Sequence, residues 1–165
     1  PLLQSSSYHG VTTVLLGNCG VTFAPLSAPN RRYLAELMEA VEDIAADAIM
    51  DGLPWNWESY GEYLDAVQDL GPSLNVVGMA GHSPIRYDVM GDRSLDEGAQ
   101  PTDDELARIA DIVRRSMQEG AVGFSTSRFL GHKVPDGRLT PGTWADSRET
   151  SAIQRAIVEG GGRRR

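Results

Sequence analysis

Cysteine is almost missing from this chain: Cys19 is the only one in 165 residues. A single thiol excludes an intramolecular disulfide and suits a reducing compartment, so the expected location is cytoplasmic. Long hydrophobic runs are missing too. No apolar stretch approaches the ~20 residues that span a bilayer, so no membrane partner is expected. Positive charge is scarce: 15 Lys and Arg stand against 23 Asp and Glu, for a formal net charge of −8. That balance argues against a nucleic acid or an anionic surface as partner. The one basic cluster, Arg163 to Arg165, is short and terminal. Neither a signal peptide nor an initiator Met is recognisable, so the start is read as a cut. Histidine is limited to His9, His82 and His132.

The remainder is the composition of an ordinary globular domain, 41% hydrophobic and 23% charged. At 165 residues the chain is long enough for one modest core. Val11 to Leu16 is apolar, β-branched and uncharged, which predicts a strand covered on both faces. It runs into Gly17-Asn18-Cys19-Gly20, whose glycines allow a tight turn or a close approach. A lone Cys at a strand end is either a small buried hydrophobe or part of a site.

Leu74–Ala80 and Ala121–Thr126 read as two more strands, the first ending in Gly81-His82-Ser83-Pro84. Helices fill the intervals. Pro1 to His9 reads as a polar lead-in. From Asn30 to about Met50, Leu34, Leu37, Met38, Val41, Ile44 and Ile49 make one apolar stripe. The acidic residues off that stripe read as a solvated face rather than a metal site. Ser59-x-x-Glu62 and Thr102-x-x-Glu105 are capping boxes that open two further helices. Asp146-x-x-Glu149 opens a last one, to about Glu159, and the glycine-rich stretch 160–165 reads as a disordered tail. Asp88–Gln100 reads as a polar loop, and Ser127–Thr143 as a longer one. Trp55 and Trp57 either line a pocket or clamp their segment to the body.

Strands alternating with amphipathic helices predict βαβ units and a parallel sheet. A closed (β/α)8 barrel needs eight strands and roughly 250 residues. The expected fold class is therefore α/β, part of a (β/α)8 TIM barrel with about three consecutive βα units spanning residues 1–165. In such a barrel, polar residues at the strand ends share one rim. They are Asn18 and Cys19, then His82 and Ser83, then Ser125, Thr126 and Arg128.

His9-Gly10-Val11-Thr12-Thr13-Val14-Leu15-Leu16-Gly17-Asn18-Cys19-Gly20-Val21-Thr22-Phe23-Ala24-Pro25 resembles the D-aminoacylase family, the N-acyl-D-amino-acid deacylases of the metal-dependent amidohydrolase superfamily. Gly52 to Tyr60, Asn75 to Arg86, Gly123 to Arg128 and Pro141 to Thr143 resemble it too, in the same order. The resemblance implies a zinc enzyme that hydrolyses the N-acyl amide of an N-acyl-D-amino acid. It implies strands two to four of the barrel, with Cys19 as a zinc ligand. The family's His-x-His pair, its two later His and its catalytic Asp have no counterpart, so no catalytic residue is expected within this chain. Gly160 to Arg165 departs from the family's continuation.

His82 stands at the rim but at no ligand position of the family; it is a substrate contact or a plain loop histidine. Ser125 and Arg128 are further candidate substrate contacts, Arg128 because a guanidinium binds carboxylates in two-pronged fashion. Arg86 is a weaker candidate for the same reason. His9 is expected at the opposite, structural end and His132 exposed on its loop. Two other readings stay open. One is a hydantoinase-like cyclic amidohydrolase, against which the cysteine speaks, since those relatives usually carry a carbamylated lysine. The other is a non-catalytic βα module.

Overall fold

A computed structural model describes residues 3–161. In chain order the elements are α1 (Gln4–Tyr8), β1 (Thr13–Leu16), α2 (Arg31–Glu42), α3 (Ala46–Gly52), α4 (Tyr60–Asp69), β2 (Asn75–Gly81), α5 (His82–Met90), α6 (Asp103–Glu119), β3 (Gly123–Ser125) and α7 (Ser147–Gly161). The three strands form one sheet in the order β1-β2-β3. Both pairs are parallel, with Leu15 opposite Val77 and Met79 opposite Gly123. Parallel neighbours need crossovers, and α2 to α4 and then α5 and α6 supply them.

Local chemistry accounts for most boundaries. Both capping boxes form: Ser59 accepts from the Glu62 N–H and Thr102 from the Glu105 N–H, and each glutamate reaches back to its cap. Asp43, in the left-handed region at φ 56°, ends α2, and α3 begins at Ala46, so the single long stripe is two helices. Gly78 lies where a Cβ would run into the Tyr60 hydroxyl of α4, so its lack of a side chain lets that helix approach the sheet. Trp57 donates to the Phe23 carbonyl at 2.9 Å and Trp55 to the Met50 carbonyl at 3.1 Å. With both rings buried, the two tryptophans clamp their segment to the body.

Four further expectations need correction. The lead-in contains a short helix, α1. Asp88–Gln100 is no simple loop, because α5 runs to Met90 and a 3₁₀ turn covers Gly91–Leu95. This helix was hidden because His82, Ser83, Pro84, Ile85, Arg86, Val89 and Met90 are all buried. A helix buried nearly all round has no polar stripe to give the 3.6-residue period. Gly160 and Gly161 belong to α7, with Gly160 buried against Arg114 of α6, while 162–165 lie outside the described residues. Finally, the run Val11–Leu16 that carries β1 is not covered on both faces: Leu15 is 43% exposed and Val11 38%.

That last difference has a simple origin. Leu15, Val77, Met79 and Gly123 share one face of the sheet by register. Gly78 and Ala80 share the other, which the helices bury. No second layer among the described residues covers the first face, and β1 and β3 each keep an unpaired edge. This chain expressed alone is therefore expected to self-associate, giving a mass above monomer in light scattering and a broad thermal transition. A monodisperse monomer with a sharp cooperative transition would contradict that.

Candidate functional site

The parallel strands bring three chain segments together at one rim. β1 leaves through Gly17–Gly20, β2 passes directly into α5 at His82, and β3 ends at Ser125 and continues into Thr126. The Gly20 N–H donates to the Ser125 hydroxyl at 3.1 Å, and the Ser83 N–H donates to the Gly20 carbonyl at 2.9 Å. Gly20 sits at φ +80°, and a Cβ there would lie 3.0 Å from the Thr126 Cα. Only glycine fits that conformation and that approach, so the Cys19 loop is pressed onto the end of β3.

Cys19 is half-buried, and its thiol makes a weak contact with the Val21 carbonyl at 4.0 Å. It lines a hollow of about 360 Å³ with Asn18, Thr22, Phe23, Tyr63 and Met79. Among the described residues, no group of three or more His, Cys, Asp and Glu is placed to hold a metal ion. The chain thus offers one soft donor at the rim and no self-contained zinc site. His9 lies before β1, at the far end of that strand from Cys19, and His132 stacks edge-on against Phe129 at 5.0 Å, half-buried rather than exposed.

His82 is 1% exposed, so it is no loop histidine. Its Nε2 lies 2.8 Å from the Glu149 Oε1 on α7, and its Nδ1 lies 2.9 Å from the Thr126 hydroxyl. Glu149 is fully buried and also accepts from the Arg86 Nε, at 3.0 and 3.2 Å to its two oxygens. Arg86, equally buried, donates from Nη1 to the Ser94 carbonyl at 2.8 Å and from Nη2 to the Ala99 carbonyl at 2.6 Å. With no exposure and all three nitrogens bonded inside the protein, it is not placed to meet a substrate. Burial pushes the Glu149 carboxyl up, but the hydrogen bond from His82 and the charge and hydrogen bond of Arg86 outweigh it and hold the group below the usual carboxylate range.

Ser125 is buried, whereas Thr126 and Arg128 are exposed, and Arg128 donates to the Ala145 carbonyl at 2.6 Å. The structure therefore gathers Cys19, His82, Ser125 and Thr126 in one bonded unit. It adds one residue that the sequence reading did not assign to the rim, Glu149, and bonds the rim residue Thr126 to His82. Glu149 looks like a capping-box residue in sequence. Asp146 does cap its N–H at 2.8 Å, but the Glu149 side chain turns inward to α5. The only signal was a glutamate on an otherwise apolar helix stripe.

No family model matches the chain. It is 36% identical over 121 residues to the D-aminoacylase of Alcaligenes xylosoxydans xylosoxydans, covering 73% of this chain and 22% of that protein. An uncharacterized protein of Mycobacterium tuberculosis is 32% identical over 94% of this chain and 26% of its own length. Among solved structures, the N-acyl-D-glutamate deacylase of Bordetella bronchiseptica, complexed with zinc and a phosphonate inhibitor, superposes with a TM-score of 0.67 at 27% identity, over 96% of this chain and 28% of that one. The chain spans about a quarter of the length of the relatives it matches. The three-stranded parallel sheet and its helices match a piece of the D-aminoacylase fold, and the chain belongs to the D-aminoacylase and N-acyl-D-amino-acid deacylase family of amidohydrolases.

Proposed function

We propose that the protein hydrolyses the N-acyl amide of N-acyl-D-amino acids, releasing a D-amino acid and a carboxylate, with zinc as its cofactor. The observation that carries this reading is the position of Cys19. It is the only thiol, held at a parallel strand end by Gly20, Ser83 and Ser125, and it opens into a hollow. A thiolate is a ligand that zinc favours. The relatives support the rest, since those with named activities are D-aminoacylases and deacylases of N-acyl-D-aspartate and N-acyl-D-glutamate.

In this reading the sheet is part of a (β/α)8 barrel whose further strands bring the remaining ligands. That barrel also covers the open face of Leu15 and Met79. The chain's own part is to hold Cys19 and to shape the substrate rim. Ser125 fixes the Cys19 loop, His82 acts through Thr126, and Arg128 is the exposed guanidinium that meets a substrate carboxylate. Among the described residues no helix is long and apolar enough to cross a membrane. A lone thiol suits a reducing compartment, which supports a cytoplasmic location.

A second reading has one specific observation behind it. The described residues do not complete a metal site, which suits a protein in which this part is a non-catalytic βα module. Assay of the full-length gene product with paired N-acetyl-D- and N-acetyl-L-amino acids decides between them. Release of the D-amino acid alone, lost on chelation and restored by zinc, is the expected result. No release from either enantiomer would overturn the deacylase reading.

A further inference from the structure

We propose that Thr126 is a ligand-binding residue at this rim, and that His82 and Glu149 are positioning residues that fix its hydroxyl as an acceptor for an amide N–H. The identity of the ligand rests on the deacylase reading; the orientation of the hydroxyl does not.

The orientation follows from counting protons. An ionised carboxylate only accepts hydrogen bonds. The 2.8 Å contact between Glu149 and His82 therefore places a proton on His82 Nε2. Whether Nδ1 also carries one depends on the charges around the ring. From its own helix comes Arg86, and from α7 comes Glu149, two groups that already neutralise each other. From β3 and the residues after it come the Phe124 ring at 5.3 Å and the Thr126 hydroxyl, and from the 141–143 loop Gly142, all uncharged. A second positive charge at a site 1% exposed would have no carboxylate of its own, which is costly. The imidazole is therefore neutral, and Nδ1 is an acceptor.

Thr126 has one hydroxyl proton and two lone pairs. At 2.9 Å from Nδ1 it must give that proton inward. The residue is exposed and lies beside the backbone of Gly20, one residue from Cys19, and with its proton committed to Nδ1 its hydroxyl has only lone pairs to offer a ligand. A hydroxyl held this way cannot turn to donate without abandoning His82. It favours a ligand that brings its own N–H, as a secondary amide does. It gives nothing to an ester or to an N-acyl-proline, which lack that hydrogen.

Two measurements test this. In the full-length gene product, imidazole nitrogen NMR near neutral pH should show His82 protonated at Nε2 and bare at Nδ1. A doubly protonated ring, or a proton on Nδ1 alone, would overturn the orientation. In the zinc-loaded full-length gene product, Thr126→Val should lower kcat/KM for an N-acyl-D-amino acid by about 10- to 100-fold, while Thr126→Ser stays within about threefold. On the matching O-acyl D-hydroxy acid, where oxygen replaces N–H, Thr126→Val should change little. Equal losses on amide and ester, or no loss on the amide, would overturn the proposal. A wild type that turns over neither substrate would overturn the deacylase reading and the amide ligand together, and the NMR result would then decide the orientation on its own.

Discussion

Cys19→Ala in the full-length gene product is expected to remove tightly bound zinc and deacylase turnover together. The thiol is half-buried, and its contact with the Val21 carbonyl is a weak one at 4.0 Å. Its removal should change stability by no more than about 1 kcal/mol, so unfolding will not explain the loss. Outer partners of a metal typically cost 10- to 100-fold when removed, and a direct ligand should cost at least about that much in metal affinity. Cys19→Ser keeps the volume but replaces a soft sulfur with a harder oxygen, and it should retain only weak binding. The 165-residue chain alone should not hold stoichiometric zinc through dialysis, because its described residues place no third ligand near the thiol. Metal analysis, a deacylation assay and a thermal midpoint on each variant give the answer. Full zinc and full turnover in Cys19→Ala would make Cys19 a packed thiol and nothing more.

What could be read from the sequence follows a physical line. The strands showed themselves because Val11–Leu16, Leu74–Ala80 and Ala121–Thr126 are apolar and each is flanked by glycine on at least one side, and the observed strands fall within a residue or two of them. The capped helices α4 and α6 showed themselves because their caps are side chains with a fixed spacing. Helix α5 did not. Its residues are buried nearly all round, and Arg86 and His82 look like surface residues until a partner is known. That partner, Glu149, is 63 residues from Arg86, and no local pattern reports a contact at that range. The open face of the sheet was equally hidden. The run Val11–Leu16 predicts a cover on both sides, and the described chain supplies one. The rim itself was legible as a set of strand ends, but the bonds that turn it into one unit, from Gly20 to Ser125 and from His82 to Thr126, come from tertiary contact alone.

The buried Arg86–Glu149–His82 cluster should dominate the stability of this part of the protein. Glu149→Ala leaves a guanidinium with no exposure and no counter-charge, and breaking a buried pair in that way costs about 3–5 kcal/mol. Native proteins have roughly 5–15 kcal/mol in all, so the variant should be mostly or partly unfolded at mild urea concentrations. Glu149→Gln should be milder, since its amide oxygen can still accept one bond. Arg86→Met combined with Glu149→Leu removes both charges. It should recover much of the loss, though not all, because the Ser94 and Ala99 carbonyls would lose their donors. The pH dependence has a definite sign. His82 and Arg86 hold the Glu149 carboxyl below its unfolded value against the push of burial. Its contribution is therefore complete above the ordinary carboxylate range and is lost as pH falls through the lowered folded value. Urea midpoints at neutral and acid pH should converge for wild type and Glu149→Gln as the pH drops, with the wild type giving up its advantage. A Glu149→Ala midpoint unchanged at neutral pH, or a double variant as unstable as the sum of its singles, would show that the cluster is not the clasp that joins α5 to α7.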